Sequence, residues 1–530
     1  MNEHFSALAG LSILPLYFLA TVFIGWLARR KSFTANAFLS ATSSLSLPIV
    51  VAAYLAANSG ALEIVGLSAL AAQYGAVAFH FYWIGAIPAM IFLALWLMPV
   101  YHKSGVKSVP QYLDERYSSA VRLLYACIQA ITMLLLAGIS LYAMAQIMEV
   151  VFGWSFARSV LISAGVVLLY TLLGGVRATI YNEVFQLCVM IAGLAPLSIR
   201  SIRLSHLLNS SQAEFRNHLW LQLPTAAPSA QLDKLGVILG LGFVLSFGYW
   251  CTDFILMQRA FAARTEAEAR QVPLWAGFGK LLFSGLVVLP GLAAHRMLAG
   301  LGHTQRFDQA LPALMKMLYG PAMLGLGVTA LAASLMSGFA ANISAFAALW
   351  TEDIYRPYLR RNDRDGHYLN VGRGALIVAT AVSGFTSYLT FFFTNLMEDV
   401  QLIFAVFGAP FWAIFFLGMI SPRATSRGAM FGLITGILVA LVHLAAVAHG
   451  FLHYGSILSA DFYGAMYAFV TTVFTTTAID RSSLRTHTQT PGNRLVFTWR
   501  AALTGREVAA LWILSTLLMT ACALLNWIWR

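Results

Sequence analysis

The 530-residue chain is 59% apolar and 10% charged, with mean hydropathy +0.75. Soluble domains carry about 25% charged residues, so this chain has too few charges to coat a water-facing surface, and lipid must solvate much of it. The net charge of +12 does not indicate nucleic-acid binding, because the basic residues recur in short bursts between apolar runs, as in the loops of a membrane protein.

A helix needs about 20 residues to cross the hydrocarbon. Apolar runs near 7–28, 44–71, 77–101, 119–150, 156–177, 178–200, 234–257, 272–298, 321–350, 370–395, 397–420, 424–448, 456–480 and 507–528 predict about fourteen spans by that rule. Met1 to Phe5 contains Glu3 and no Lys or Arg, and Arg29-Arg30-Lys31 follows the first run. That order predicts a retained first span rather than a signal peptide, with the N-terminus outside. The second run is interrupted by Ala57-Asn58-Ser59-Gly60, with Glu63 just beyond. The third opens on His80 within Phe79-His80-Phe81-Tyr82-Trp83, read as a membrane-interface residue beside an aromatic cluster. The seventh is interrupted by Gly248-Tyr249-Trp250-Cys251, five spans after the first interruption. Such a pair of breaks fits an inverted repeat, and it fits equally with glycines that only let helices pack closely.

Lys280 stands inside the eighth run. An intramembrane lysine needs a cavity or a partner. It is either part of a functional site or a structural ion pair with a snorkelling stem. The longest polar stretches, about 200–233, 351–372 and 479–506, read as loops, so residues 1–530 form one domain. With the N-terminus outside, 23 of the 33 Lys and Arg fall on inward segments and nine on outward ones, while Lys280 lies within a span. This asymmetry predicts both termini outside, loops 29–34, 356–369 and 481–503 in the cytoplasm, and residues 1–6 and 202–230 outside, in a cell (plasma) membrane. Cys127, Cys188, Cys251 and Cys522 all lie in apolar runs without a C-x-x-C pair, so neither a disulfide framework nor a zinc site is indicated.

Several segments carry a more specific pattern. Tyr249-Trp250-Cys251-Thr252-Asp253, followed by Gln258-Arg259, matches Y-W-C-T-D-x4-Q-R. Ala56-Ala57-Asn58 with Val65-Gly66, and Pro99-Val100-Tyr101 with Gly105-Val106 and Pro110-Gln111-Tyr112-Leu113, accompany it in order. So do Tyr170-Thr171, Gly174-Gly175, Ile180-Tyr181 through Gln186, and Ala333-Ser334-Leu335-Met336-Ser337 with Asp353-Ile354-Tyr355. Together these segments, from about 44 to 427, resemble the sodium:solute symporter family, and within it the sodium/glucose cotransporter branch.

The resemblance implies an all-α integral membrane protein of the LeuT type. The expected architecture is a five-plus-five inverted repeat over 44–420, a peripheral first span at 7–28 and three peripheral spans over 424–528. It also implies a secondary active transporter that imports a small polar solute with sodium by alternating access. Lys280, ten residues before Pro290, takes the place of the family's sugar-binding lysine. Gln401 falls at the substrate-contacting glutamine, and Tyr249 at the aromatic that closes over the substrate from inside. Glu63 replaces a group that is usually polar and uncharged. It could bind a hydroxyl, pair with Lys280, accept a proton or attract a cation. Tyr82 stands where sugar relatives carry an acid, Gly85 where they have a hydroxyl and Ser246 where they have an amide. A sugar's hydroxyls need fixed partners, so the solute is expected to be sugar- or polyol-like but met by an altered site.

For sodium, the resemblance implies the carbonyls of Ala56, Ser59 and Ser334 and the hydroxyl of Ser337. The last expected hydroxyl position is Gly338, which has none. Without the motif, Ser334 and Ser337 would read as packing residues bonded back to their own helix. Glu183 takes the place of an aspartate on the inward ion path. With one hydroxyl missing and two carboxylates available, proton coupling is the alternative, as is a sensor on the same fold, although no signalling domain is visible. No H-E-x-x-H or G-x-S-x-G pattern occurs, so an enzyme is not expected. The expected partners are a small-molecule solute and the bilayer.

Overall fold

The computed structural model describes residues 2–29, 34–39, 45–60, 62–104, 108–207, 232–298, 307–392, 395–483 and 506–528. The expected loops at 29–34, 202–230 and 481–503 therefore lie largely outside the described residues. Among the described residues every regular element is helical, apart from a single bridge between Leu45 and Ala263.

Eleven helical runs among the described residues are long and apolar enough to cross a membrane. A twelfth forms if Gly236–Thr252 and Phe254–Ala260, which bend by 51° where they meet, count as one span. Three runs are about twice the length of a single crossing: Glu63–His102 with 40 residues, Phe156–Arg203 with 48 and Pro321–Leu359 with 39. The second turns at Gly175, whose φ of 57° lies in the left-handed region. A Cβ there would meet Phe38 O at 2.3 Å, so glycine is required on two counts.

The elements that frame the centre are α1 (Asn2–Arg29), α2 (Leu47–Asn58), α3 (Leu67–Tyr74), α4 (Ser119–Phe152) and α5 (Phe156–Leu207). They are joined by α6 (Ser246–Thr252), α7 (Phe254–Ala260), α8 (Glu266–Leu298), α9 (Pro321–Leu349) and α10 (Leu396–Ile403). α9 is the axis of the packing: every residue from Gly327 to Leu349 is buried. Its Gly, Ala and Ser content lets α1, α4 and α5 close on it. At the α5 crossing, a Cβ on Gly193 would lie 2.4 Å from that of Ala330.

Burial falls away from this axis. In Glu63–His102 and Pro321–Leu359, 72% of the most apolar stretch is buried, against 28% in Ser12–Arg29, Ser426–Ala448 and Val508–Ile528. Large apolar side chains such as Leu161, Leu282 and Phe392 point outward, as a lipid-solvated surface requires.

Candidate functional site

Two helices break near the centre. α2 stops at Asn58, and Ser59 N still donates to Leu55 O at 2.8 Å. The chain resumes as a wide turn over Leu62–Gly66 before α3. α6 stops at Asp253, whose backbone is extended and whose side chain accepts from Leu256 N at 3.0 Å to cap α7. Interrupted helices of this kind release backbone groups that can only be tolerated inside protein or beside a cavity.

A cavity of about 140 Å³ lies between the breaks. Its lining includes Glu63, Tyr82, Ser246, Tyr249, Lys280 and Gln401, so the six positions expected to touch solute share one space, and Gly338 lines it as well. Lys280, on α8, is 1% exposed and donates to Glu63 Oε2. It also donates to Ser59 Oγ at 3.3 Å. Its ammonium lies 5.9 Å from the Tyr82 ring, 5.7 Å from Trp250 and 6.0 Å from Phe283, an aromatic surround that favours a cation. Of the roles open to Glu63, pairing with Lys280 is the one this geometry displays.

Tyr249 stands beside Phe404, ring centroids 5.2 Å apart, and its hydroxyl accepts from Asn58 Nδ2 at 2.7 Å. Tyr249, Asp253 and Phe404 also line a smaller cavity of about 20 Å³ that reaches Gln129 and Thr132, so Tyr249 stands between two spaces. The Ser246 hydroxyl is already committed: it donates to Gly85 O at 2.5 Å, and Trp250 Nε1 donates to the same oxygen at 3.0 Å. The residue at the family's amide position thus braces the backbone of the residue at its hydroxyl position. His80 is fully buried and edge-on to Trp83, within the expected aromatic cluster.

The oxygens expected to meet sodium sit against the same break. Ser334 Oγ donates to Ser59 O at 3.0 Å, and Ser337 Oγ donates to Ala56 O at 3.1 Å. All four residues are completely buried. Gly338 does more than lack a ligand: a Cβ on Gly60 would lie 3.2 Å from Gly338 Cα, and 3.7 Å from Ser334 O. Gly60 thus lets the broken helix rest directly on α9 at Gly338. Carbonyl and hydroxyl oxygens collected at a helix break suit a hard cation.

Glu183 does not reach the cavity. On α5, fully buried, it accepts from Arg259 Nη2 at 2.6 Å and from Nε at 3.3 Å, while Arg259 Nη1 reaches Gln258 at 2.8 Å. Its partner comes from α7, just past the second break.

Four polar cavity residues, Asn58, Ser140, Asp253 and Asn342, were not singled out from the sequence as site residues. Asn58 lies inside the recognised interruption, and its polarity next to Ser59-Gly60 is a usable signal. Asn342 is one helical turn past Gly338 and donates to Gly338 O at 2.8 Å. Only that spacing could have drawn attention to it.

Broken helices around a central cavity that holds a buried ion pair, enclosed by many spans, are the architecture of a membrane transporter. A family model, that of the sodium:solute symporter family, matches residues 38–436. The chain belongs to the sodium:solute symporter family, and it is a multi-pass membrane transporter rather than an enzyme. It is 25% identical over 476 residues to the sodium/glucose cotransporter of Vibrio parahaemolyticus, covering 83% of this chain and 86% of that one. It is 27% identical to the sodium-coupled monocarboxylate transporter 1 of Xenopus laevis, covering 77% and 67%. The structure is similar to that of a Na+-coupled sialic acid symporter, with TM-score 0.72 and 15% identity, covering 89% of this chain and 97% of that one.

Proposed function

We propose that this protein is a sodium-coupled symporter that imports a small polar, sugar- or polyol-like solute by alternating access across the plasma membrane. The observation that carries the reading is the juxtaposition at Ser59. The residue meets Lys280 of the solute cavity through its hydroxyl and Ser334 of the ion site through its carbonyl. In this reading Lys280, Glu63, Gln401 and Tyr82 bind solute, and Tyr249, held by Asn58, covers it from the inner side. Ser246 acts through Gly85. The carbonyls of Ala56, Ser59 and Ser334 and the hydroxyl of Ser337 take the sodium ion as co-substrate. Sodium binding exchanges the present hydroxyl–carbonyl bonds for oxygen–cation contacts, which ties the break in α2 to α9.

The architecture proposed with it has fourteen spans: Glu63–His102 together with Leu47–Asn58 supplies two, Phe156–Arg203 two, the bent pair one and the other nine runs one each, Pro321–Leu359 extending beyond its crossing. An inverted repeat of five and five covers about 44–420, with peripheral helices at 7–28 and over 424–528 and both termini outside. Sodium is preferred over a proton as coupling ion because Glu63 and Glu183, the carboxylates on which a proton route would depend, are held in ion pairs. The test is uptake of glucose, mannose and myo-inositol into proteoliposomes under an imposed sodium gradient. Uptake that ignores sodium but follows a pH gradient would remove sodium as the coupling ion in favour of a proton.

A further inference from the structure

Three oxygen atoms in residues lining the central cavity lack a hydrogen-bond donor: Glu63 Oε1, Gln401 Oε1 and Asn342 Oδ1. Each belongs to a residue only 6% exposed. Their neighbours fix the amide orientations. Gln401 directs its NH2 to Met397 Sδ at 3.3 Å, and Asn342 directs its NH2 to Gly338 O at 2.8 Å. A thioether and a carbonyl can accept but not donate, so in both residues the amide oxygen is the atom left over. The Tyr82 hydroxyl lies beside the Glu63 carboxylate and can turn toward it, which still leaves the amide oxygens of Gln401 and Asn342 without a donor.

Charge points the same way. Among the described residues Lys280 is the one Lys or Arg lining the cavity, and it is already paired with Glu63. Asp253 adds a second carboxylate to the lining. An anionic solute would meet oxygen lone pairs and an ammonium whose charge is cancelled at contact distance. A second cation would compete with Lys280 for Glu63. A neutral solute rich in O–H or N–H groups would supply the missing donors.

We infer that Glu63 is a charge filter: by pairing with Lys280 inside the cavity it excludes carboxylate solutes and commits the site to neutral hydrogen-bond donors. The inference rests on reading this cavity as the solute site. It makes Glu63 the specificity-determining residue. Removing its charge while keeping its shape frees the Lys280 ammonium to receive an anion.

The test is binding to the purified full-length protein, followed by tryptophan fluorescence and thermal shift. The probes are glucose, mannose and myo-inositol as neutral donors, lactate and N-acetylneuraminate as anions, and ethanolamine as a cation. The parent should prefer a neutral probe by at least tenfold. Glu63→Gln, or Glu63→Ser if the first does not fold, should gain at least tenfold affinity for an anionic probe, and adding Lys280→Gln should abolish that gain. The gain supports the filter even where the parent binds none of the three neutral probes. A parent that prefers an anion or ethanolamine overturns it, as does a folded Glu63 variant without the gain. Proteoliposome uptake separates the two claims. Selective binding without sodium-driven uptake leaves the filter standing and removes the symport reading, whereas sodium-driven lactate uptake by the parent does the reverse.

Discussion

Ser59 and Lys280 meet at 3.3 Å, hydroxyl to ammonium, while the carbonyl of the same serine accepts from Ser334 on α9. One residue at a helix break therefore touches both the charged pair in the cavity and the oxygens beside α9. Ser59→Ala removes the first contact and keeps the carbonyl. A hydrogen bond to a charged group contributes about 1.5–3 kcal/mol, so loss of this link should weaken the mutual enhancement of sodium and solute binding by about tenfold or more. Titrating a bound neutral solute at low and high sodium measures it. Unchanged reciprocity in the alanine variant would remove Ser59 from the coupling route.

Gly338 offers a test of the ion site. Gly338→Ser supplies the absent hydroxyl and should lower the sodium concentration that half-saturates uptake at fixed pH. Ser337→Ala should raise it. The close approach of Gly60 to Gly338 Cα makes Gly60→Ala a control. It should push the break away from α9 by a few tenths of an ångström and weaken sodium binding without touching a ligand. If none of the three variants moves the sodium curve, the ion lies elsewhere.

The pair between Glu183 and Arg259 joins α5 to the segment just beyond the second break, with both side chains fully enclosed. Glu183→Ala leaves the guanidinium buried without its counter-charge, a loss of about 3–5 kcal/mol. Glu183→Ala with Arg259→Met should recover most of that stability, as read by thermal unfolding in detergent. A double variant no better than the single one would show that packing, not charge pairing, sets the cost.

At Gly175 the left-handed backbone and the contact with Phe38 O act together. Gly175→Ala should destabilise the fold by more than the roughly 1–2 kcal/mol of the backbone term alone, because the methyl has no space. Gly165 faces open space, and Gly165→Ala is expected to be nearly neutral. Similar unfolding temperatures for the two variants would contradict this account of the turn.

Orientation is open to direct measurement. The exposed ends of Arg360 and Arg361 lie between the helices Pro321–Leu349 and Asp365–Thr386, on a loop whose basic residues predict a cytoplasmic position. In a cysteine-free background, Arg361→Cys should resist an impermeant thiol reagent in intact cells and react after permeabilisation. Strong labelling from outside would invert the topology.

Composition and apolar run length by themselves determined that this is a many-span, all-helical membrane protein, because a bilayer leaves a chain with so few charges little alternative. The ordered motifs from Ala56 to Tyr355 carried the family. The first helix break was visible at Ala57-Asn58-Ser59-Gly60, whereas the second falls at Asp253, two residues beyond the expected Gly248-Tyr249-Trp250-Cys251, which is helical because its glycine packs without ending the helix.

Only the tertiary structure decided how the charges are used. Glu63 and Lys280 are 217 residues apart in the chain, and the sequence could not choose among the roles open to Glu63. Packing of α8 against α2 and α3 brings the two into contact. Arg259, read from the sequence only as part of a motif, became the partner of Glu183 for the same reason. Ser246 was bound to the Gly85 backbone, and His80 was enclosed by its neighbours. Local pattern specifies where a helix must break or turn, because backbone geometry is local. Which buried charges find each other depends on which helix faces meet across the core, and that is set by the whole packing.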